Sequence, residues 1–363
     1  MNIHSSILLA PYTTFKIGGP AKFFCEIKDQ FDALTAFEFA KKENLSVFVL
    51  GGGSNLLVSD RGFNGLVIRV VNRGVEVIKQ DNSGVSIRVA SGENWDEFVS
   101  FCVKNGWWGL ENLSHIPGST GAIAVQNVGA YGQEAKNVID SVTVFDTATN
   151  QILSFKNSDC GFAYRTSIFN TSQKGRYIIF DIIFKLKKTE APILSYKDLA
   201  EWFENKFPDL EKIRNAVIQI RDRKFPFPTE AKKGNAGSFF KNLQLNAEQY
   251  GILKEAVVRE FSLEAWEKLD TKVFKEGSLY KIPTAFLLEL CGLKGVEIGG
   301  ACINANQPLV IVNKTGEATS SDVVEVAKTV LNTLKSRLGV CVNIEPELLG
   351  FSQSELRDLG RVL

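Results

Sequence analysis

Two glycine-rich segments constrain this chain more than any other feature. GGGSN at 51 to 55 follows directly on the apolar run SVFVL at 46 to 50, and IPGSTGAIAVQNVGAYG at 116 to 132 sets Gly118, Gly121, Gly129 and Gly132 around the polar pair Gln126 and Asn127. Glycine after a buried strand lets main-chain N–H groups approach a phosphate closely, making an anion nest without net charge. The first segment is not a Walker loop, because no Gly-Lys-Ser/Thr follows, and it lacks the GxGxxG spacing of a Rossmann turn. Alone it reads equally as a plain glycine turn. Two such loops in one domain suit a dinucleotide, which has a pyrophosphate, a ribose and a ring to hold.

Short strands dominate the first half. Segment 29 to 44 starts at a capping Asp29 and spaces Phe31, Leu34 and Phe37 as a helical apolar face. GLVIRV, VEVIK, VSIRVA, SVTVF, QILSF and YIIFDIIFKL read as strands, and Glu93 to Asn105 reads as a second helix. Strands in series with two helices predict an α+β domain ending near Lys188, not a doubly wound sheet. Beyond it, Tyr196-Lys197-Asp198 reads as a turn, and a helix near 212 to 223 stops before FPFP at 225 to 228, where a new unit is expected to begin. A helix near 284 to 291, the strand PLVIV, a helix from Asp322 to Leu338 and the strand VCVNI then form an α/β unit. Asp322 and Glu325 resemble a capping box, with Val323, Ala327, Val330, Leu334 and Leu338 as the buried face.

A length of 363 residues suggests two or three domains, and 44% hydrophobic with 23% charged residues predicts a chain folded throughout. With 42 basic against 41 acidic residues, no net field attracts nucleic acid or an anionic membrane. The N-terminal residues lack a basic region and a signal-length apolar run, and the longest apolar stretch is interrupted by Asp181, so a cytoplasmic protein is expected. The six cysteines form no CxxC or Cys/His cluster, which predicts buried reduced thiols and no zinc or iron–sulfur site.

Three further motifs carry chemistry. YRTSIF at 164 to 169 offers Arg165, whose planar guanidinium can hold a carboxylate bidentately. GNAGSFFKN at 234 to 242 sets Ser238 after a small flexible turn. It is not a hydrolase nucleophile, because GxSxG is absent and neither histidine, His4 or His115, lies in a base motif. IEPELLG at 344 to 350 puts Glu345 and Glu347 on one face of an extended segment, and spacing does not choose between them.

In this order the five motifs resemble the UDP-N-acetylenolpyruvoylglucosamine reductase family over nearly the whole chain. The resemblance implies a vanillyl-alcohol-oxidase-type FAD-binding domain over 17 to 188, an α/β substrate domain over 189 to 363, and an active site between them. It implies non-covalent FAD, with His115 only packing or hydrogen-bonding. NADPH is the hydride donor, and flavin N5 passes the hydride to the enolpyruvyl ether of a UDP-sugar. Cofactor contacts fall to Gly51, Gly52, Gly53, Ser54, Asn55, Gly118, Ser119, Gly121, Gln126, Asn127, Gly129 and Ala130. Arg165 and a protonated Glu347, matched in place of Glu345, stabilise the charge left by the hydride, and Ser238 protonates the α-carbon with Lys241 nearby. Lys224, Lys281 and Asn242 suit the diphosphate and uracil edge, and Tyr196 belongs to the closing tyrosine loop of one subclass. No metal, nucleic acid, membrane or obligatory protein partner is implied, and a monomer is expected. The rivals are an oxidase of the same superfamily and a non-catalytic nucleotide-sugar binder. Neither has use for the Arg165, Ser238 and Glu347 set.

Overall fold

Capping and alternation set most of the elements. The computed structural model describes residues 1–204, 206–224 and 233–360. The chain forms two compact units, the first comprising Met1–Ile7, Ala21–Gly53 and Asn64–Phe227, the second Leu8–Pro20, Ser54–Phe63 and Pro228–Leu363.

In chain order come β1 (Ile3–Leu8), β2 (Pro20–Ile27), α1 (Gln30–Lys42), β3 (Ser46–Leu50), β4 (Leu56–Val58) and β5 (Phe63–Val70). One sheet has the order β1-β2-β5-β3, with β3 and β5 parallel. The Asp29 carboxylate caps α1 by accepting from the Phe31 and Asp32 N–H groups, as the sequence predicts. The buried face differs. Ala33, Ala36 and Ala40 pack on Cys25, Ile27, Leu66 and Ile68, Leu34 and Phe37 only flank them, and Phe31 is 70% exposed. Close-packed interiors select the small-residue side, which lets the helix lie near the sheet.

Next are β6 (Val75–Gln80), β7 (Gly84–Ala90), α2 (Trp95–Lys104), α3 (Thr120–Val125), β8 (Gly129–Ala130), β9 (Gln133–Glu134), β10 (Ile139–Asp146), β11 (Gln151–Lys156) and β12 (Tyr177–Lys187). An antiparallel sheet runs β11-β10-β12-β7-β6. The near-continuous apolar run of β12 has a physical cause. Ile179, Ile182 and Phe184 enter a core with Trp95 and Phe98, whereas Ile178 and Phe180 enter the core beneath α1. A strand covered on both faces cannot alternate polar and apolar residues. Each such side chain contributes ~1.5–3 kcal/mol of burial.

The segment read as a turn at 196 to 198 instead begins α4 (Lys197–Phe203), and α5 spans Leu210–Lys224. Leu199, Leu210, Ile213, Val217 and Ile220 join the Trp95 core, so the first unit continues past the break read at Lys188. The apolar stripe of α5 needs cover, and α2 with its neighbours supplies it. The FPFP run lies outside the described residues.

The second unit holds β13 (Gly234–Ser238), β14 (Leu243–Leu245), α6 (Ala247–Glu260), α7 (Leu263–Asp270), β15 (Phe274–Glu276), β16 (Leu279–Ile282) and α8 (Thr284–Leu290). It continues with β17 (Glu297–Ile298), β18 (Ala301–Ile303), β19 (Val310–Asn313), α9 (Ser320–Leu338) and β20 (Glu347–Leu349). Its sheets are β13-β19-β18-β17, β14-β16-β15 and the parallel pair β20-β4. The cap of α9 is Thr319, whose hydroxyl accepts from the Asp322 N–H while the Asp322 carboxylate accepts from the Thr319 N–H. The capping box therefore lies three residues earlier than Asp322 with Glu325. Val323, Ala327, Val330, Leu334 and Leu338 are buried as read. VCVNI is not a strand: Val340, Val342 and Ile344 are buried alternately, but only Ile344 pairs, with Phe240.

Cys25, Cys102, Cys160 and Cys302 are buried, Cys291 is half-buried and Cys341 is exposed, which departs from the expectation for that residue. Among the described residues no group of His, Cys, Asp and Glu could hold a metal ion. No described helix is long and apolar enough to cross a membrane.

Candidate active site

The two glycine loops lie directly on one another in the first unit. A Cβ on Gly52 would stand 2.5 Å from Gly118 Cα, and one on Gly51 would stand 2.7 Å from Ser119 Oγ. Only glycine permits this approach of backbone to backbone. Gly53 then takes φ +63°, outside the range comfortable for other residues. The second loop is fixed beside residues 91–95: Trp95 N–H donates to Gly118 O (3.1 Å), Thr120 N–H to Glu93 O (2.8 Å) and Gly121 N–H to Ser91 O (3.0 Å). A Cβ on Gly121 would meet Ser91 Oγ at 2.5 Å, and that buried hydroxyl has no partner among the described residues.

Residues 126–134 close the loop. Gln126 ends α3, and Asn127 is fully buried with its side chain spent on the protein: Nδ2 donates to Glu134 Oε2 (2.9 Å) and Ala163 O (3.0 Å), and Oδ1 accepts from Lys136 N–H (2.9 Å). Asn127 thus shapes the loop through its side chain. Burial would raise the Glu134 carboxyl, but the bonds from Lys136 and Asn127 outweigh it and hold it below the usual range. Strands β8 and β9 pair across the two-residue turn Tyr131-Gly132, at φ +50° and +84°. Two positive φ values define the turn whose twist matches a tight hairpin.

The YRTSIF segment is sewn to this loop. Besides the Asn127 bond to Ala163 O, Ser167 Oγ donates to Val125 O (2.5 Å) and Arg165 Nη2 donates to Gly129 O (2.9 Å). Arg165 sits at φ +56° in a turn closed by mutual main-chain bonds between Ala163 and Thr166. A left-handed non-glycine residue stores ~1–3 kcal/mol of strain, a frequent mark of functional positions. Its guanidinium lies 5.3 Å from the Tyr164 ring centroid.

The tyrosine segment meets the same hairpin. Tyr131 and Tyr196 stand edge to face with centroids 5.3 Å apart, and Gly132 lies against Ile193, Ser195 and Tyr196. Lys224 Nζ pairs with Asp198 Oδ2 at 2.5 Å and lies 5.7 Å from the Tyr131 centroid. Asn112, 1% exposed, donates through Nδ2 to both Tyr131 O (2.7 Å) and Ile193 O (2.8 Å). Its Oδ1 has no donor among the described residues, a penalty of ~1–3 kcal/mol.

A charged network braces the hairpin from α5. The Arg221 guanidinium donates to His115 O (3.0 Å) and bonds the Tyr131 hydroxyl, which burial pushes up to about 12. His115 Nε2 lies 3.1 Å from Asp222 Oδ1, and the His115 main-chain N–H donates to Asp96, which Arg214 grips bidentately at 2.6 and 2.8 Å. Burial would raise the Asp96 carboxyl, but these bonds outweigh it. The sequence reading misses Asn112, Arg214 and Arg221. Arg214 and Arg221, seven apart on a helix, carried a readable signal; a lone asparagine before a loop carried none.

In the second unit, Ser238 ends β13 opposite Val310, past a bulge and after Gly237 at φ +71°. Its hydroxyl makes no hydrogen bond among the described residues. The next residue, Phe239, accepts from Glu345 N–H (2.9 Å), and Lys241 N–H donates to Asn343 O (2.9 Å). The chain changes partners at Pro346: Glu347 N–H donates to Asn55 O (3.0 Å) and β20 pairs with β4. Glu345 and Glu347 are therefore tied to different neighbours. Asn242 Oδ1 accepts from the Thr284 N–H (3.2 Å) at the start of α8, and Lys281 pairs with Gln244 and Phe274 in its sheet.

A family model described as FAD binding domain matches residues 21–156, and one described as UDP-N-acetylenolpyruvoylglucosamine reductase, C-terminal domain, matches residues 228–349. Fold and loops together define an FAD-binding flavoprotein with an appended second domain. The UDP-N-acetylenolpyruvoylglucosamine reductase of Neisseria meningitidis serogroup B is 38% identical over 350 residues, covering 95% of this chain and 97% of the relative. That of Flavobacterium johnsoniae is 37% identical over 354 residues, covering 96% and 100%. The crystal structure of the Thermus caldophilus enzyme, MurB, aligns with a TM-score of 0.65 at 25% identity, covering 96% of this chain and 99% of that one. This chain belongs to the UDP-N-acetylenolpyruvoylglucosamine reductase family.

Proposed function

We propose that Arg165, Ser238 and Glu347 carry the chemistry of the reaction this chain performs, the FAD-dependent reduction of UDP-N-acetylenolpyruvoylglucosamine by NADPH to UDP-N-acetylmuramate for peptidoglycan synthesis. When bound, FAD supplies a two-electron carrier between NADPH and the β-carbon of the enolpyruvyl group. The residues present fit it. The loops 51–53 and 118–121, in backbone contact at Gly52 and Gly118, would hold the pyrophosphate through main-chain N–H groups, and residues 126–130 would flank the reacting end, because Arg165 is bonded to Gly129.

Hydride arriving at the β-carbon leaves negative charge at the α-carbon, delocalised into the carboxylate. Arg165 meets that charge with a fixed cation already oriented by its strained turn. Glu347 helps when protonated, since a second anion would oppose the reaction. Ser238 delivers a proton to the α-carbon, with Lys241 two peptides beyond Phe239. Tyr196, Lys224, Asn242 and Lys281 hold the nucleotide-sugar. Lys224 must then exchange Asp198 for phosphate.

The observation that carries this reading is the main-chain tie between Phe239 and Glu345, which fixes an unengaged serine hydroxyl one residue away and Glu347 two residues away on the facing segment. Turnover in D2O of wild type and Ser238→Ala tests it. Wild type should place solvent deuterium at the α-carbon, and the variant should form that product ~10²–10⁴-fold more slowly. Product labelled at the α-carbon at the wild-type rate in the variant contradicts it.

A further inference from the structure

We propose that Asn112 is a positioning residue, holding the tyrosine segment 193–196 against the cofactor loop and so setting how well Tyr196 meets substrate. The proposal rests on the reading that Tyr196 contacts the UDP-sugar.

Three observations carry it. Both amide hydrogens of Asn112 are used, one on Tyr131 O in the hairpin of the second glycine loop and the other on Ile193 O, three residues before Tyr196. The side chain is almost wholly buried and its own oxygen goes without a donor among the described residues, so the amide is retained for its two hydrogens and not for a balanced core. The joint it makes is continued by packing: the Tyr131 and Tyr196 rings meet edge to face, and a Cβ on Gly132 would stand 3.3 Å from Ile193 Cγ2, 3.7 Å from Ser195 Oγ and 3.9 Å from Tyr196 Cβ. A carboxylate cannot replace this amide, because both partners are acceptors. A hydroxyl has one hydrogen to give where two are needed.

The holoenzyme carries the test. With FAD bound, the wild-type amides of 193–199 should exchange at least about tenfold more slowly than free-peptide rates. Exchange at the free-peptide rate overturns the tether independently of any variant. Asn112→Ala, and the equal-volume Asn112→Asp, should speed that exchange. Each should raise KM for the UDP-sugar about tenfold, equivalent to one net hydrogen bond. Tyr196→Ala separates the two readings. If it leaves KM unchanged, the substrate contact of Tyr196 fails while exchange still decides the tether. If it raises KM and the Asn112 variants do not, or if the double variant is additive, Asn112 does not act through Tyr196 and the proposal falls.

Discussion

Backbone geometry fixes the three residues assigned to chemistry. Arg165 is held at positive φ by the Ala163–Thr166 turn, Ser238 follows the positive-φ Gly237, and Glu347 follows Pro346 at the point where the chain leaves Phe239 for Asn55. The motifs that carry them are legible in the sequence, and the roles proposed for them come from the resemblance. The choice of Glu347 over Glu345 is not legible from spacing, because alternation treats both alike; the hydrogen bonds that separate them come from residues 106 and 292 positions away. If Glu347 acts protonated, a neutral amide keeps a hydrogen for the developing charge. Glu347→Gln should then retain at least about tenfold more kcat for product formation than Glu347→Ala, in line with loss of one oxyanion-type donor. Equal losses in a steady-state assay would argue that the carboxyl serves another purpose.

At the level of elements, β3, β5 to β7, β10 to β12 and β19 follow from alternation or short apolar runs, α1 from period and cap, α2 from period, and the glycine loops from composition. Helices α3 and α4, of six and seven residues, are too short for a helical period to declare itself. The face of α1 escapes for another reason: its aromatic and alanine stripes are both helical, and only the approaching sheet decides between them. The contact of the two glycine loops predicts the effect of one methyl group. Gly52→Ala drives a carbon into Gly118 Cα at 2.5 Å, backbone against backbone, so the loops must part. The expected result is protein that folds but binds FAD at least about tenfold more weakly, or ~1.4 kcal/mol, by equilibrium titration. Unaltered FAD affinity would mean that the loop contact does not form the cofactor cradle.

For the molecule as a whole, the order of a flavin part and a substrate part is legible, and so is the start of a new unit at FPFP, while the membership of α5 is not, because its apolar stripe says that it is buried and not against what. Stability should depend on acid through Asp146 at the end of β10. Its bidentate bonds with Arg176 hold this buried carboxyl at about 2, against an ordinary value of 3.8. A depressed folded-state value stabilises fully above 3.8 and is lost as pH falls toward 2. In urea denaturation the stability gap between wild type and Asp146→Asn should be constant from about pH 8 to about pH 5 and narrow below about pH 4. A gap that stays constant or widens in acid would place the dependence elsewhere. The central claim, that Ser238 supplies the proton without which the carbanion gives its hydride back to the flavin, is tested most directly by anaerobic spectroscopy of wild type and Ser238→Ala in parallel. NADPH should bleach the flavin band of both. Added UDP-N-acetylenolpyruvoylglucosamine should restore the band in wild type and, in the variant, do so slower by ~10²–10⁴-fold. Restoration at the wild-type rate in Ser238→Ala would contradict the account.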